Sequence, residues 1–256
     1  MARRIDAWMN GVRLSDIGPI YIKQVNEPGP EMEITYTERP TRGGQEVARR
    51  RRKALKVSIV AQIHELFDLI RRTEVRQAIA AWSEGGILEL SNHPGQRLRV
   101  ISTGDPGIGA ARDFNSDIEI EFEANEVPYW EERDYSTAGG TGSSGSFALR
   151  IPGTAKEVPV EAVFTPSAAI TELTVTAACG GVTRSIHLTG MSVSGAITFG
   201  RDACDRITIY SGNTNLMPYR TQASADDLTV PAGNATVSFT ASGSGSITFR
   251  ARGRWL

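Results

Sequence analysis

Apolar and polar residues alternate with a period of two along much of this chain. In "KALKVSIVAQI", Leu55, Val57, Ile59, Ala61 and Ile63 share one parity while Lys56, Ser58 and Gln62 take the other, the pattern of a half-buried β-strand. "DIEIEFEA" alternates in the same way. Ile118, Ile120, Phe122 and Ala124 fall on one face, and Asp117, Glu119, Glu121 and Glu123 on the other, so four carboxylates share one side of a strand. Between these stretches the period changes. From His64 to Glu84, Leu66, Leu69, Ile70, Ala78, Ile79 and Trp82 recur at three and four residues, which predicts an amphipathic helix ended by Gly85-Gly86. The register slips around Arg72 to Glu74, where a break is expected. "ILEL" and "RLRVIST" flank the turn "SNHPGQ" and predict a hairpin.

The second half reads differently. "ITELTVTAA", "TRSIHLTG", "GAITFG", "DRITIY", "ATVSFTA" and "GSITFRARGRWL" are short strands between Gly, Asn, Asp and Pro turns, and they predict a β-sandwich of jelly-roll type. "YSTAGGTGSSGSF" separates the halves and, rich in small residues, is expected as a linker. The chain is therefore expected as mainly β: an N-terminal barrel or sandwich domain with one helix over residues 1–134, a linker over 135–146, and a sandwich over 147–256. Gly140, Gly142 and Gly145 match a dinucleotide fingerprint on paper, but no strand precedes them and no helix follows, so the match is compositional.

Composition narrows the function. The 256 residues suffice for one large domain or two ordinary ones. A net charge of -1 argues against a dedicated nucleic-acid binder, which needs an excess of cations. No stretch approaches the roughly 20 apolar residues of a membrane span, and "MARRIDAWMNGVRL" lacks the apolar core of a secretory leader. Cys179 and Cys204 are too few for a zinc cluster and are expected as buried free thiols.

Candidate chemistry is sparse. His64, His93 and His187 lack a second ligand at metal spacing, and Asp202 and Asp205 around Cys204 read as a turn. Neither a Gly-x-Ser-x-Gly elbow nor a P-loop occurs, so no catalytic, cofactor-binding or metal-binding residue is expected. Trp8, Trp82, Tyr129 and Trp130 are expected as packing anchors, while Tyr210, Tyr219 and Trp255 are the aromatic candidates for stacking a sugar. The run Arg49, Arg50, Arg51, Arg52 and Lys53 is the one dense charge. It is cationic on both parities of a strand and cannot enter a core, so its hairpin is expected to project toward a neighbouring subunit. Nucleic-acid binding would interleave aromatics, and residues 48–63 contain none.

Read in order, "AWMNGVRLSDIG", "NEPGPEMEITYTERPTRGGQ", "ALKVSIVAQI", "AIAAWSEGG", "ILELSNHPGQRLRVISTG" and "DFNSDIEIEFEANEVPYWEE" resemble the distal tail proteins of long-tailed, non-contractile bacteriophages. The second half, above all "LTVPAGNATVSFTASGSGSITFRARGRWL", is similar to that family's galectin-like sandwich. The resemblance implies a structural virion protein, made in the bacterial cytoplasm, that forms a ring, usually a hexamer, around the DNA channel. Its partners would be the tail tube protein and the tail-tip or baseplate hub, with DNA passing unbound. Arg49 to Lys53 and the carboxylates Asp117, Glu119, Glu121 and Glu123 are the candidate subunit contacts, the stripe either pairing with the arginines or lining the channel. The alternative is a lectin-like module that attaches to host saccharide through the C-terminal domain.

Overall fold

A computed structural model describes residues 5–29, 31–38, 45–63, 69–104, 106–108, 116–124 and 126–255. The chain divides into two compact units, Met1–Trp130 and Glu131–Leu256. In the first, the elements run β1 (Ala7–Met9), β2 (Val12–Arg13), the short helix α1 (Leu14–Ile17), β3 (Ile20–Asn26), β4 (Met32–Glu38), β5 (Gln45–Arg52), β6 (Leu55–Ile63), α2 (Leu69–Trp82), β7 (Gly85–Leu90), β8 (Gln96–Ser102), β9 (Gly107–Ile108) and β10 (Ser116–Ala124). An antiparallel sheet in the order β2-β1-β7-β8-β10-β6-β3, with β9 beside β10, forms a half-barrel.

The parities read from the sequence are those of the core. Ile118, Ile120, Phe122 and Ala124 stand opposite Ala61, Ile59, Val57 and Leu55, and all eight are buried. Each large side chain so buried stabilises the fold by about 1.5–3 kcal/mol. Helix α2 contributes Val75, Ile79 and Trp82, spaced four and three apart. The Trp82 ring meets Phe122 edge-on at 6.1 Å, and its indole N–H donates to the Val12 carbonyl at 2.8 Å. Ala78, expected on the same face, is exposed, and the side chains of Leu69 and Ile70 lie outside the described residues. At the apparent register slip, Thr73 and Glu74 lie on the exposed side of a helix that runs unbroken from Leu69 to Trp82, so the expected break is absent. His64 to Asp68 lie outside the described residues. Among the anchors, Trp82 and Trp130 are buried, whereas Trp8 and Tyr129 are only partly covered.

The turn between β7 and β8 is held by His93. Its ring stacks on Trp130 with centroids 4.1 Å apart, and Nε2 lies 2.7 Å from a Glu27 carboxylate oxygen. The Glu27 hydrogen bond raises the His93 pKa above 6.5 against the cost of burial. Burial pushes Glu27 up, but bonds from His93 and Asn92 outweigh it and hold the carboxyl below 4.5. The histidine contribution is complete below pH 6.5 and is lost as pH rises through its folded pKa; the glutamate contribution is complete above pH 4.5 and is lost as pH falls through its own. The melting-temperature difference between the native protein and His93→Gln is therefore expected to peak between pH 4.5 and 6.5 and to shrink on both sides. A difference independent of pH would leave only the stacking on Trp130.

The second unit follows β11 (Trp130–Glu132) with β12 (Ser136–Ile151), β13 (Val158–Pro166), β14 (Ile170–Cys179), β15 (Val182–Val193), β16 (Ile197–Arg201), β17 (Ile207–Ser211), β18 (Thr214–Asn215), a 3-10 turn at Met217–Tyr219, β19 (Thr229–Val230), β20 (Gly233–Ala251) and β21 (Arg254–Trp255). The first part of β20 pairs with β14 and with residues 144–151 of β12, and its last part pairs with β13 and residues 136–142. β12 and β20 thus bend together from one layer into the other, with a register shift between Gly142 and Ser144. Phe164 from one layer meets Phe239 from the other at 5.6 Å.

Of residues 135–146, expected as a linker, all but Tyr135 therefore belong to a 16-residue strand that pairs with β20. The glycines serve packing at the bend. A Cβ on Gly139 would sit 2.1 Å from the Ile247 carbonyl oxygen, and one on Gly245 would sit 2.5 Å from that of Thr165.

Arg254 is buried in this unit, 5% exposed. Its Nη1 donates to Asp205 Oδ2 at 2.8 Å, Nη2 to Asp205 Oδ1 at 3.0 Å, and Nε and Nη2 to Glu131 Oε1 at 3.2 and 3.0 Å. Burial opposes the charge, and the two carboxylates overcome it, so the guanidinium pKa is raised. Cys179 is buried as expected; Cys204, on the turn with Asp202, is exposed instead.

Candidate interaction surface

Among the described residues β4 and β5 pair only with each other, as a two-stranded sheet separate from the half-barrel. Seven residues of β4 extend roughly 24 Å at the usual strand rise. All seven are exposed. The base is closed by the Lys53 backbone N–H donating to the Glu31 carbonyl and by an ion pair of 2.9 Å between their side chains. A lone two-stranded hairpin is marginal in water, and both faces of β4 are open to solvent in the protomer.

Register gives the arm two unlike faces. Met32, Ile34 and Tyr36 share a parity, and Tyr36 stands opposite Val47. These four are 38%, 39%, 53% and 53% exposed. Arg52 and Arg50 take the register positions opposite Met32 and Ile34, while Arg51 and Arg49 stand opposite Glu33 and Thr35. The side chains of Arg49, Arg50, Arg51 and Arg52 lie outside the described residues. The apolar stripe went unread in the sequence although "EMEITYTE" carries a clean period of two. Nor is the arm free of aromatics, because Tyr36 sits across from the cationic strand.

The carboxylates of β10 lie where expected, on the face opposite the core, but they are partly neutralised within their own protomer. Lys23 Nζ is 2.6 Å from Asp117 and Lys56 Nζ is 3.5 Å from Glu123. Glu119 and Glu121, between these pairs, are exposed, and Glu121 meets the Thr103 hydroxyl at 3.4 Å. Near the root of the arm, Val25 to Pro28 and Lys56 to Ser58 line a cleft of about 650 Å³ together with Thr103, Glu121 and Glu123. The stripe and the origin of the arm are thus neighbours in one unit.

The remaining candidates do not assemble. His93 is consumed by Glu27, His187 lies in β15, and Asp205 by Arg254, while Asp202 accepts from the Arg206 backbone N–H at 2.8 Å as a turn residue. Among the described residues no three His, Cys, Asp or Glu side chains group to hold a metal ion, and no helix is long and apolar enough to cross a membrane. Tyr210 and Tyr219 are exposed on β17 and the 3-10 turn, whereas Trp255 is partly covered on β21.

The sequence matches no protein-family model, and no curated protein matches it. Solved structures do match. One is SPP1 Dit (gp 19.1), presented as a paradigm of the hub adsorption apparatus in Gram-positive infecting phages: the TM-score is 0.70 at 14% identity, over 99% of this chain and 100% of that one. A chain of the phage P2 baseplate in its activated conformation with Ca gives 0.53 at 11% identity, over 99% and 98%. The same baseplate with Sr gives 0.52 at 10%, over 98% of each chain. Over nearly its whole length, this chain has the fold of the SPP1 Dit protein.

Proposed function

We propose that the protein is a structural hub of a long-tailed phage or prophage tail, whose copies close into a ring around the DNA channel between the tail tube and the tip or baseplate. The observation that carries this reading is the likeness to SPP1 Dit, a hub protein, over 99% of the chain. The arm supports it independently. A projecting hairpin that meets a different patch on the next copy makes a head-to-tail contact, and such contacts close into rings when the rotation allows. Six copies is the number that the family resemblance implies.

In this reading the role is mechanical, the protein belongs to the virion, and no step of bond chemistry is assigned to it. The C-terminal sandwich, galectin-like by resemblance, faces the other tail components as an attachment platform. Native mass spectrometry and negative-stain imaging of the purified chain test the ring. Annular particles of one stoichiometry are the expected result; a monomer that persists at the highest attainable concentration overturns it.

A further inference from the structure

We infer that the arm of one copy docks, apolar face first, into a cleft on a second copy where the start of β7 meets the ends of β8 and β10. This rests on the ring reading above and names the surface that receives the arm. The cleft measures about 400 Å³ and is lined by Ile87 and Ile101, by Gly85 and Gly86, and by the carboxylates Glu84, Glu123 and Glu126, with Arg99 also present.

Its centre is Ile101, at 55% the most exposed large apolar side chain among the described residues. The cause is its register. Ile101 stands between Gly85 on β7 and Glu123 on β10, so one neighbour offers no side chain to cover it. Gly85 is fixed as glycine by a φ of +118° and by the Val100 carbonyl oxygen, which a Cβ would meet at 2.6 Å. The result is an apolar recess with carboxylates around it.

The arm carries the complement. Ile34, Tyr36 and Val47 form an exposed apolar stripe, and Arg50 and Arg52 occupy register positions on the adjoining strand. Within one protomer both partners stay uncovered, since β4 is exposed throughout and so is Ile101. Glu84 and Glu126 have no ion-pair partner among the described residues. Burying the stripe removes apolar surface from water, and opposite charges around it fix the register and disfavour a reversed arm.

The test is cross-linking between two proteins, each in a Cys204→Ser background: one carries Tyr36→Cys and the other Ile101→Cys. Both positions are exposed, so both variants are expected to fold with unchanged melting temperature. Mild oxidation of the mixture should give a disulfide-linked heterodimer as the main product, reduced at least tenfold when Thr37→Cys, on the opposite face of the arm, replaces Tyr36→Cys. A chain carrying both Tyr36→Cys and Ile101→Cys should give a ladder of covalent oligomers. Absence of the heterodimer, or a cross-link confined within one chain, overturns the docking. Native mass spectrometry of the same samples under reduction separates the two claims: rings without the cross-link discard only this docking, and monomers without it discard the ring as well.

Discussion

Replacing Arg254 by alanine is expected to lower the melting temperature of the Glu131–Leu256 unit by about 10 °C or more. Arg254 is 5% exposed, and its guanidinium makes four hydrogen bonds to Asp205 and Glu131. Removing it takes away the guanidinium that bridges Asp205 and Glu131, and Glu131 is 2% exposed. Breaking a buried ion pair from one side costs about 3–5 kcal/mol, whereas replacing all its members with apolar residues of similar volume is often neutral. Each kcal/mol moves the transition of a domain this size by roughly 3–5 °C. Arg254→Lys is expected to recover little, because one ammonium cannot reach both carboxylates with the planar fork of arginine. Differential scanning calorimetry of the full chain checks this, with the transition of the Met1–Trp130 unit as internal reference; a second transition that stays in place would show the cluster to be energetically idle.

Ile34→Asp combined with Tyr36→Asp is expected to leave the fold intact and abolish assembly. Both side chains are exposed in the protomer, so their loss should change its stability by no more than about 0.5 kcal/mol. In an assembly they would be buried, and two new carboxylates beside a carboxylate-lined cleft add repulsion to lost apolar area. Replacing Arg49 to Lys53 with serine probes the same contact through charge, and it too should yield folded monomers. Sedimentation velocity of each variant at equal concentration reads the outcome. Rings of native size in the aspartate variant would show that the apolar stripe carries none of the contact.

The sequence was most legible where local periodicity and burial coincide. Asp117 to Ala124 alternates without interruption, and Leu55 to Ile63 does so but for Val60, because one face of each strand is core and the other is solvent. Helix α2 was harder: among its described side chains Val75, Ile79 and Trp82 are buried while Ala78, counted in the apolar stripe, is exposed, and Leu66, Leu69 and Ile70 lie outside the described side chains. The stretch from Ser136 to Ser146 was misread because Gly and Ser supply no periodicity at all; its strand is specified by pairing with β20, a partner about a hundred residues away. Glu131 and Arg254 escaped notice, and Asp205 read only as a turn residue, for a related reason. Their association is a product of topology, and no spacing along the chain announces it. The arm was recognised by its arginines, while its apolar half, equally plain in "EMEITYTE", was passed over.

The pairing of Ser136 with Ala251 joins opposite ends of the second unit, and those two strands belong to both of its layers. Neither layer can therefore be completed while β20 is still inside the ribosome. Loop closure over such a separation makes the step slow, as expected of a topology dominated by distant partners. The strands from β1 to β10, arm included, all leave the ribosome before β12 does, and a compact unit of this kind can begin to fold during translation. If copies assemble through the arm as proposed, newly made chains display that hairpin before their other half is finished, and the order of synthesis then bears on when copies first meet.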